Sequence, residues 1–277
     1  MSSTTESARS AGRGPFVRRL PAVVLAGVAL LILILLQLPV IVVVLASFTE
    51  TSYLTVPPKG FTWHWYAEVL GDESYRDAIL FSLSLALSAT ALSLAIGTAA
   101  AYAIVRRKLP GSEAIAAVLM APLVFPAVVI AVALLQYFTW VGVRGSFAGL
   151  VAAHVLITMP YVVRSVLAAL AGADPALEEA ARTLGAGPWR AFFQVGLPII
   201  RPGLVAGGIF SFIVSFDNVP VSIFLVSVRN TTLPVKIFAA VEHGIDPGIA
   251  AVSTLLIVTT GLALVIAERW AGFHRFA

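Results

Sequence analysis

Six long apolar stretches constrain what this chain can fold into more than any other feature of its sequence. A helix that crosses a lipid bilayer needs about 20 apolar residues, because the hydrocarbon core is about 30 Å thick and each helical residue rises 1.5 Å. Continuous runs of this length disfavour a transmembrane β-barrel, whose strands alternate apolar and polar residues. The sequence therefore predicts an all-α membrane protein with six transmembrane helices, at approximately residues 21–48, 78–105, 114–138, 147–170, 203–228 and 249–267.

The composition supports a membrane location and excludes several kinds of site. Charged residues make up 12% of the chain, whereas soluble domains contain roughly 25%. Cysteine is absent, which excludes disulfides and thiolate metal sites. The sequence has no phosphate-binding loop, zinc-protease motif or nucleophile elbow. We therefore expect no cofactor, metal or catalytic residue in this chain.

The distribution of positive charge predicts which side of the membrane each loop faces. Lys and Arg concentrate on the cytoplasmic side of membrane proteins, and 13 of the 18 here lie on one side of the predicted spans. We therefore expect both termini to be cytoplasmic, with a disordered tail at 1–19 and a transmembrane domain at 20–277. This topology explains the net charge of +4 without a nucleic-acid partner. The 13 residues are Arg9, Arg13, Arg18, Arg19, Arg106, Arg107, Lys108, Arg164, Arg182, Arg190, Arg201, Arg269 and Arg275.

One predicted cytoplasmic loop, residues 174–202, is too polar to lie in lipid and carries strong helix signals. The Asp174 side chain can accept hydrogen bonds from the free N–H groups at a helix start. Proline, here Pro175, is suited to the first helical position, because an N–H at that position would have no partner within the helix. Gly185 can take the left-handed conformation that ends a helix, and Pro188 can begin a second one. The loop is therefore predicted to form two short helices joined at a glycine corner. Within the first helix, Glu178 and Arg182 have the i,i+4 spacing of an ion pair.

The surface of this loop allows two interpretations. Ala180 and Ala181 leave a smooth patch that another backbone could approach, while Trp189, Phe192 and Phe193 form an apolar patch larger than a solvated loop needs. Such a unit could fit a groove on a soluble partner. It could equally be a pair of interfacial helices without a partner, and the residues alone do not decide between the two.

The spacing of the motif residues in this loop resembles the EAA loop of ABC importer permeases. The match consists of Glu179-Ala180-Ala181, Gly185 and Val195-x-Leu197-Pro198, with valine where the family pattern has isoleucine. The resemblance implies a type I ABC importer permease fold in the bacterial inner membrane, with 20–277 as the permease domain. In that family the loop is a coupling helix that inserts into the cytoplasmic ATPase.

The same resemblance implies partners and site residues. A cytoplasmic ABC ATPase dimer would bind ATP and Mg²⁺, a second similar permease would complete the pathway, and an external substrate-binding protein would deliver the solute. Membrane lipid would surround the helices. The residues expected at the ATPase joint are Glu178, Glu179, Ala180, Ala181, Gly185, Trp189, Leu197 and Pro198.

Three further segments are similar to the spermidine/putrescine-type permeases. They are VRRKLPG at 105–111, VPPKGFTWHWY at 56–66 and SFDNVPVSIFL at 215–225. This likeness implies a polyamine or related organic cation as substrate. Related permeases often carry a second acid after the Asp of the third segment, where this chain has Asn218. An amino-acid derivative or a metal chelate therefore stays open as an alternative substrate.

The fifth apolar run contains the candidate pathway residues. An acid inside a membrane costs about 2.5–3.5 kcal/mol on insertion scales, so Asp217 is expected to face protein or water and to contact a cationic substrate. Tyr137 at the end of the third run could cage an amine or belong to an aromatic belt. His154 is expected to be a hydrogen-bonded packing residue. A polar helix face, serving either the pathway or helix packing, is predicted from Ser211, Ser215, Asn218 and Ser222.

Two other classes of protein compete with the importer interpretation. A stand-alone secondary transporter or channel would favour inverted repeats or several intramembrane charges, and the sequence shows no clear repeat and one central acid. A membrane-embedded enzyme would need clustered His, Asp or Glu near an interface, and none occurs. A stable complex of this chain with an ATPase would support the importer. Full transport by this chain alone would contradict it.

Overall fold

The computed structural model describes residues 15–106, 110–227, 230–244 and 246–271, and within these ranges the chain is helical without β-strands. This confirms the predicted all-α class. A 3₁₀ turn at Ala121–Leu123 and a π turn at Phe192–Gly196 supplement twelve α-helices in the described ranges. These are α1 Pro15–Ala46, α2 His64–Gly71, α3 Glu73–Arg106, α4 Ser112–Met120, α5 Ala127–Val141, α6 Phe147–Ala171, α7 Ala176–Thr183, α8 Pro188–Ala191, α9 Leu197–Phe216, α10 Ser222–Leu225, α11 Leu233–His243 and α12 Pro247–Ala271.

Four helical segments in the described part of the chain are long and apolar enough to cross a membrane. They are Val24–Ala46, Glu73–Arg106, Phe147–Ala171 and Pro188–Phe216. The bent pair α4–α5 makes a fifth candidate, and α12 covers the sixth predicted run. The total of six spans stays a prediction. Helix α1 begins at Pro15, inside the segment expected to be a disordered tail, and residues 1–14 of that tail lie outside the described ranges.

The third predicted span, 114–138, is wrong as one straight helix. The chain bends by 99° between Ser112–Leu123 and Ala127–Val141. Pro122 lies in the 3₁₀ turn and Pro126 caps α5. Because proline has no N–H and its ring clashes with the preceding turn, two prolines four residues apart interrupt a helix that the apolar composition would otherwise sustain.

The fifth predicted span, 203–228, is displaced toward the N-terminus. A continuous helix runs from Pro188 through the π turn and ends at Phe216, where Asp217 forms the C-cap. Asn218 Oδ1 then accepts a hydrogen bond from the Val221 N–H at 2.9 Å, which stabilises a turn before α10. Pro220 lies in this turn rather than kinking a helix.

Three helices form the centre of the bundle, and small residues let them approach closely. Helices α3 and α6 run parallel, since Gly97 lies against Val162, Ser93 bonds Thr158, and Phe81 meets Phe147 near their starts. Helix α9 runs antiparallel to α6. A Cβ at Gly203 would lie 2.6 Å from the Ser165 carbonyl oxygen, and one at Gly207 would lie 2.9 Å from the Val162 Cα. The absence of side chains at Gly203 and Gly207 therefore lets α9 pack closely against α6.

The bundle has two distinct ends. At the Glu73 end, α2, α3, α11 and α12 meet in a cluster of buried side chains from Val69, Ala78, Leu233 and Val252. At the Arg106 end, α7 follows the last turn of α6. The loops predicted to lie outside and the loop predicted to be cytoplasmic therefore occupy opposite ends of α3.

Candidate coupling site and solute pathway

The local conformation of the predicted coupling loop is as the residue types require. Asp174 Oδ1 accepts a hydrogen bond from the Ala176 N–H at 2.9 Å, so it caps the start of α7. Gly185 has φ +93°, in the region that favours glycine, and turns the chain away from the helix axis. Pro188 then begins α8. The predicted helix start, glycine corner and second helix are all present.

Around this corner the loop exposes a patch of large apolar side chains. Leu184 is 89% exposed and Trp189 is 76% exposed. Trp189 and Phe193 stack with their ring centroids 6.3 Å apart, and Leu177 is also exposed. We call Leu177, Leu184, Trp189 and Phe193 the coupling patch. Neither Leu177, on the outer face of α7, nor Leu184, directly before the corner, was predicted to belong to the site.

The motif residues divide between the outer and inner faces of α7. Glu179 and Ala180 are exposed, and Ala181 is partly exposed. Glu178 is buried, with 8% of its surface accessible. Its expected ion pair with Arg182 is wrong, because the Glu178 carboxylate turns inward to α3. The outward-facing acid of the motif is Glu179.

Glu178 links α7 to the last turns of α3. Its Oε1 accepts a hydrogen bond from Arg106 Nε at 3.2 Å, and both side chains are about nine-tenths buried. Its Oε2 accepts a short hydrogen bond from the Tyr102 hydroxyl. Neither Tyr102 nor Arg106 was predicted to belong to the site. A buried acid needs a compensating cation, and the basic end of the preceding apolar run is the sequence signal that could have identified Arg106.

Tyr102 also contacts the second arm of the loop. Its ring meets the edge of Phe192 at a centroid distance of 5.1 Å. Gly196 lies under the same carboxylate, since a Cβ there would be 3.2 Å from Glu178 Oε1. The end of α3 therefore touches both α7 and the π turn.

Leu197 and Pro198 lie within the continuous helix rather than in a separate connection to the membrane. Leu197 packs against the cluster around Val162, Val166 and Ile200. Pro198 cannot donate to the carbonyl of Gln194, and the turn that precedes it is widened to a π turn. The second arm of the coupling loop, α8, and the fifth span are thus one continuous helix.

At the far end of that element, Asp217 is exposed. Its backbone N–H bonds the Ile213 carbonyl at 3.0 Å and ends α9. Among the described residues its carboxylate has no hydrogen-bond or ion-pair partner. Asp217 therefore presents a free acid at a helix end and not, as predicted, in the middle of a span.

The serines predicted near Asp217 lie inside the bundle. Ser211, Ser215 and Ser222 are buried, and in this conformation they contact protein and not a pathway. His154 joins two of them, with Nδ1 2.8 Å from Ser215 Oγ and Nε2 3.1 Å from Ser222 Oγ. The prediction that His154 is a hydrogen-bonded packing residue is confirmed. By bonding serines of α9 and α10, it fixes the turn that carries Asp217.

The two other candidate pathway residues differ in their surroundings. Asn218 uses its side-chain oxygen in the turn before α10. Tyr137 is exposed, with ring contacts to Phe138 and Trp140. Among the described residues no hydrogen bond or ring contact joins Tyr137 to Asp217. A common amine-binding pocket for these two residues stays a prediction.

Relatives of this chain include permeases named for polyamine transport. It is 35% identical to the spermidine/putrescine transport system permease protein PotC of Haemophilus influenzae over 231 residues, covering 83% of this chain and 89% of that protein. It is 33% identical to the putrescine transport system permease protein PotI of Escherichia coli K12 over 240 residues, covering 84% and 85%.

Solved structures resemble this chain in fold, and a family model matches its sequence. Two structures of a bacterial alginate ABC transporter match with TM-scores of 0.70 and 0.66 at 18% and 17% identity; they cover 93% and 92% of this chain, and 95% and 93% of those chains. At this identity they show the fold alone. Residues 91–272 match the model of the binding-protein-dependent transport system inner membrane component. The chain belongs to that family, and it is an inner-membrane permease of an ABC importer.

Proposed function

We propose that this permease carries a polyamine across the bacterial inner membrane and is driven by a cytoplasmic ABC ATPase dimer that docks on the coupling patch. The observation that supports it most directly is the unbroken helix Pro188–Phe216, which joins the patch to Asp217. Its 29 residues span about 43 Å at 1.5 Å per residue. A displacement of Trp189 by the ATPase would therefore reach Asp217 without passing through a flexible joint.

The coupling patch has the chemistry of a docking surface for a folded partner. Four large apolar side chains of this loop are exposed, and Ala180 on α7 is exposed as well. Burying such a patch in a groove removes apolar area from water. The sequence has no phosphate-binding loop, so the proposal assigns ATP binding and hydrolysis with Mg²⁺ to the partner.

The substrate proposal rests on the relatives and on Asp217. The two relatives described above are named for spermidine/putrescine and putrescine transport, and a carboxylate without an internal partner suits a protonated amine. A second permease subunit would face Asp217 and complete the pathway. An external substrate-binding protein would deliver the amine at the Glu73 end, which requires both termini to be cytoplasmic.

Reconstitution tests the importer proposal directly. The permease pair and its ATPase, in liposomes with binding protein, Mg²⁺ and ATP, should accumulate radiolabelled putrescine or spermidine. Replacing Trp189 and Leu184 by Asp should abolish ATPase binding. Uptake of the amine by the permease without the ATPase would instead support a secondary transporter or channel.

Asp217→Asn tests the pathway separately from the coupling. Removing the charge should raise the KM for putrescine about tenfold, the loss expected for one charge-assisted hydrogen bond. Stimulation of ATP hydrolysis at saturating putrescine should persist. Glu113→Gln, an exposed acid in the first turn of α4, is the matched control and should leave the KM unchanged. Normal uptake by Asp217→Asn with unchanged substrate preference would refute the pathway role and leave the docking proposal standing.

A further inference from the structure

We infer that Glu178 is a positioning residue that transmits the movement of α7 to α3, and that it does not contact the ATPase. This inference deepens the proposed function and rests on it. The two adjacent acids of the motif would then have separate roles. Glu179 faces outward toward the partner, and Glu178 faces inward toward Tyr102 and Arg106.

Besides the chain connection from α6 into α7, the loop reaches the bundle by two different connections. Helix α8 continues covalently through the π turn into α9. Helix α7 is separated from α8 by the Gly185 corner, and its hydrogen bonds to α3 come from the single Glu178 side chain. Without that side chain, α7 would keep its chain connections to α6 and α8 but would lose its hydrogen bonds to α3.

The Glu178 connection is specific and directional. Two hydrogen bonds, one of them in an ion pair, hold the two carboxylate oxygens on different side chains of α3. Charge-assisted bonds in a buried setting are shorter and stronger than neutral ones. A Cβ at Gly196 would lie 3.2 Å from Glu178 Oε1, so the absence of a side chain there leaves room for the carboxylate.

Helix α3 is the element through which such a signal would spread. It packs in parallel against α6 from Phe81 to Gly97, and its far end joins α2, α11 and α12. A displacement that enters at Arg106 therefore reaches the external end of the bundle. The coupling of α7 and α8 to different helices lets one docking event move α3 and α9 together.

The test compares Glu178→Gln with Glu179→Gln in the reconstituted transporter. Glu178→Gln should bind the ATPase and hydrolyse ATP at the wild-type basal rate, while the amine transported per ATP falls about tenfold, within the usual range of coupling between sites. Glu179→Gln should weaken ATPase binding instead. Tyr102→Phe, which removes only the hydroxyl, should show the Glu178→Gln behaviour in milder form.

Replacing the hydrogen bond between Tyr102 and Glu178 by a covalent cross-link shows whether loss of transport in the variants comes from the lost connection or from misfolding. Because the chain has no cysteine, Tyr102→Cys with Glu178→Cys places the only thiols at the contact. The double variant should be uncoupled when reduced and recover transport per ATP when a short thiol-reactive cross-linker joins the pair. Tyr102→Cys alone should not respond to the reagent.

Three results would overturn the inference. The first is normal transport by Glu178→Gln, and the second is a loss of ATPase binding by Glu178→Gln as large as that of Glu179→Gln. The third is a cross-linked double variant that stays uncoupled. Failure of the proposed function looks different, because the wild-type permease would then show no ATPase binding or would transport without it.

Discussion

At the scale of single residues, Gly185 determines the shape of the surface offered to a partner. Its φ of +93° is one that residues with a Cβ rarely adopt, yet a Cβ placed there would meet nothing within 4 Å. The requirement for glycine within this chain is thus conformational and not steric. Leu184, directly before it, is the most exposed side chain of the coupling patch, so a change of backbone at the corner would redirect it.

Gly185→Val should weaken ATPase binding about tenfold or more. A β-branched residue in this region costs about 1–2 kcal/mol, and the chain can relieve that strain only by moving the corner. The affinity of the purified permease for its ATPase, from titration in detergent, is the measurement. Gly111→Val is the control, because Gly111 has φ +76°, is equally open and lies at the start of α4. Equal affinities for the two variants would show that the corner is not at the joint.

Residue roles were predictable from the sequence where they depend on local geometry. The Asp174 cap, the Gly185 turn and the start at Pro188 follow from neighbours along the chain. The partner of Glu178 was not predictable in this way, because Arg106 lies 72 residues away and only tertiary packing brings the two together. The local i,i+4 pattern with Arg182 gave the wrong partner for the same reason.

At the scale of secondary-structure elements, apolar composition identifies the membrane segments but not the breaks within them. Both breaks lie at prolines inside runs that remain apolar, Pro122 and Pro126 in the third run and Pro220 in the fifth. A hydropathy window averages over such residues, whereas the backbone loses a donor at each of them. As a result Asp217 was placed in the middle of a helix that in fact ends at Phe216.

The packing of α6 against α9 should depend on the absence of a side chain at Gly207. A Cβ there would lie 2.9 Å from the Val162 Cα, and backbone atoms cannot move aside cheaply. Gly207→Val should therefore lower the thermal unfolding temperature of the detergent-solubilised protein, with an overpacking cost of about 1–3 kcal/mol or more. The measurement is loss of the monodisperse peak in size-exclusion chromatography after heating.

Gly27→Val is the matched control for this substitution. Gly27 also lies within a long apolar helix, and a Cβ there meets nothing within 4 Å. The change in intrinsic helix propensity is the same at both positions, so the difference between them reports packing alone. An equal loss of stability in both variants would contradict the close approach of α6 and α9.

At the scale of the whole molecule, the parallel arrangement of α3 and α6 determines what the bent pair between them must do. Both helices begin at the Glu73 end, where Phe81 meets Phe147, and both end near Arg106, where Glu178 follows α6. The chain must therefore return along the full length of the bundle between 107 and 146. The pair α4–α5, with the 3₁₀ turn between them, is the helical segment in the described part of that interval, so we predict that it crosses the membrane despite its 99° bend.

Cysteine labelling in right-side-out vesicles tests this crossing and the predicted orientation together. Ser52→Cys lies in the exposed loop after α1, and Gly172→Cys lies between α6 and α7, where a side chain is unhindered. Three crossings separate the two positions if α4–α5 spans. An impermeant maleimide should therefore label Ser52→Cys in intact vesicles, and Gly172→Cys only after permeabilisation.

Ser3→Cys extends the same experiment to the N-terminus. One span separates it from position 52, so it should label with Gly172→Cys if the terminus is cytoplasmic. Labelling of Ser52→Cys and Gly172→Cys from the same side would make α4–α5 a re-entrant loop and contradict the parallel packing of α3 and α6. Exposure of Gly172→Cys alone to the outside would place the coupling patch where no cytoplasmic ATPase could reach it, since α7 begins four residues later.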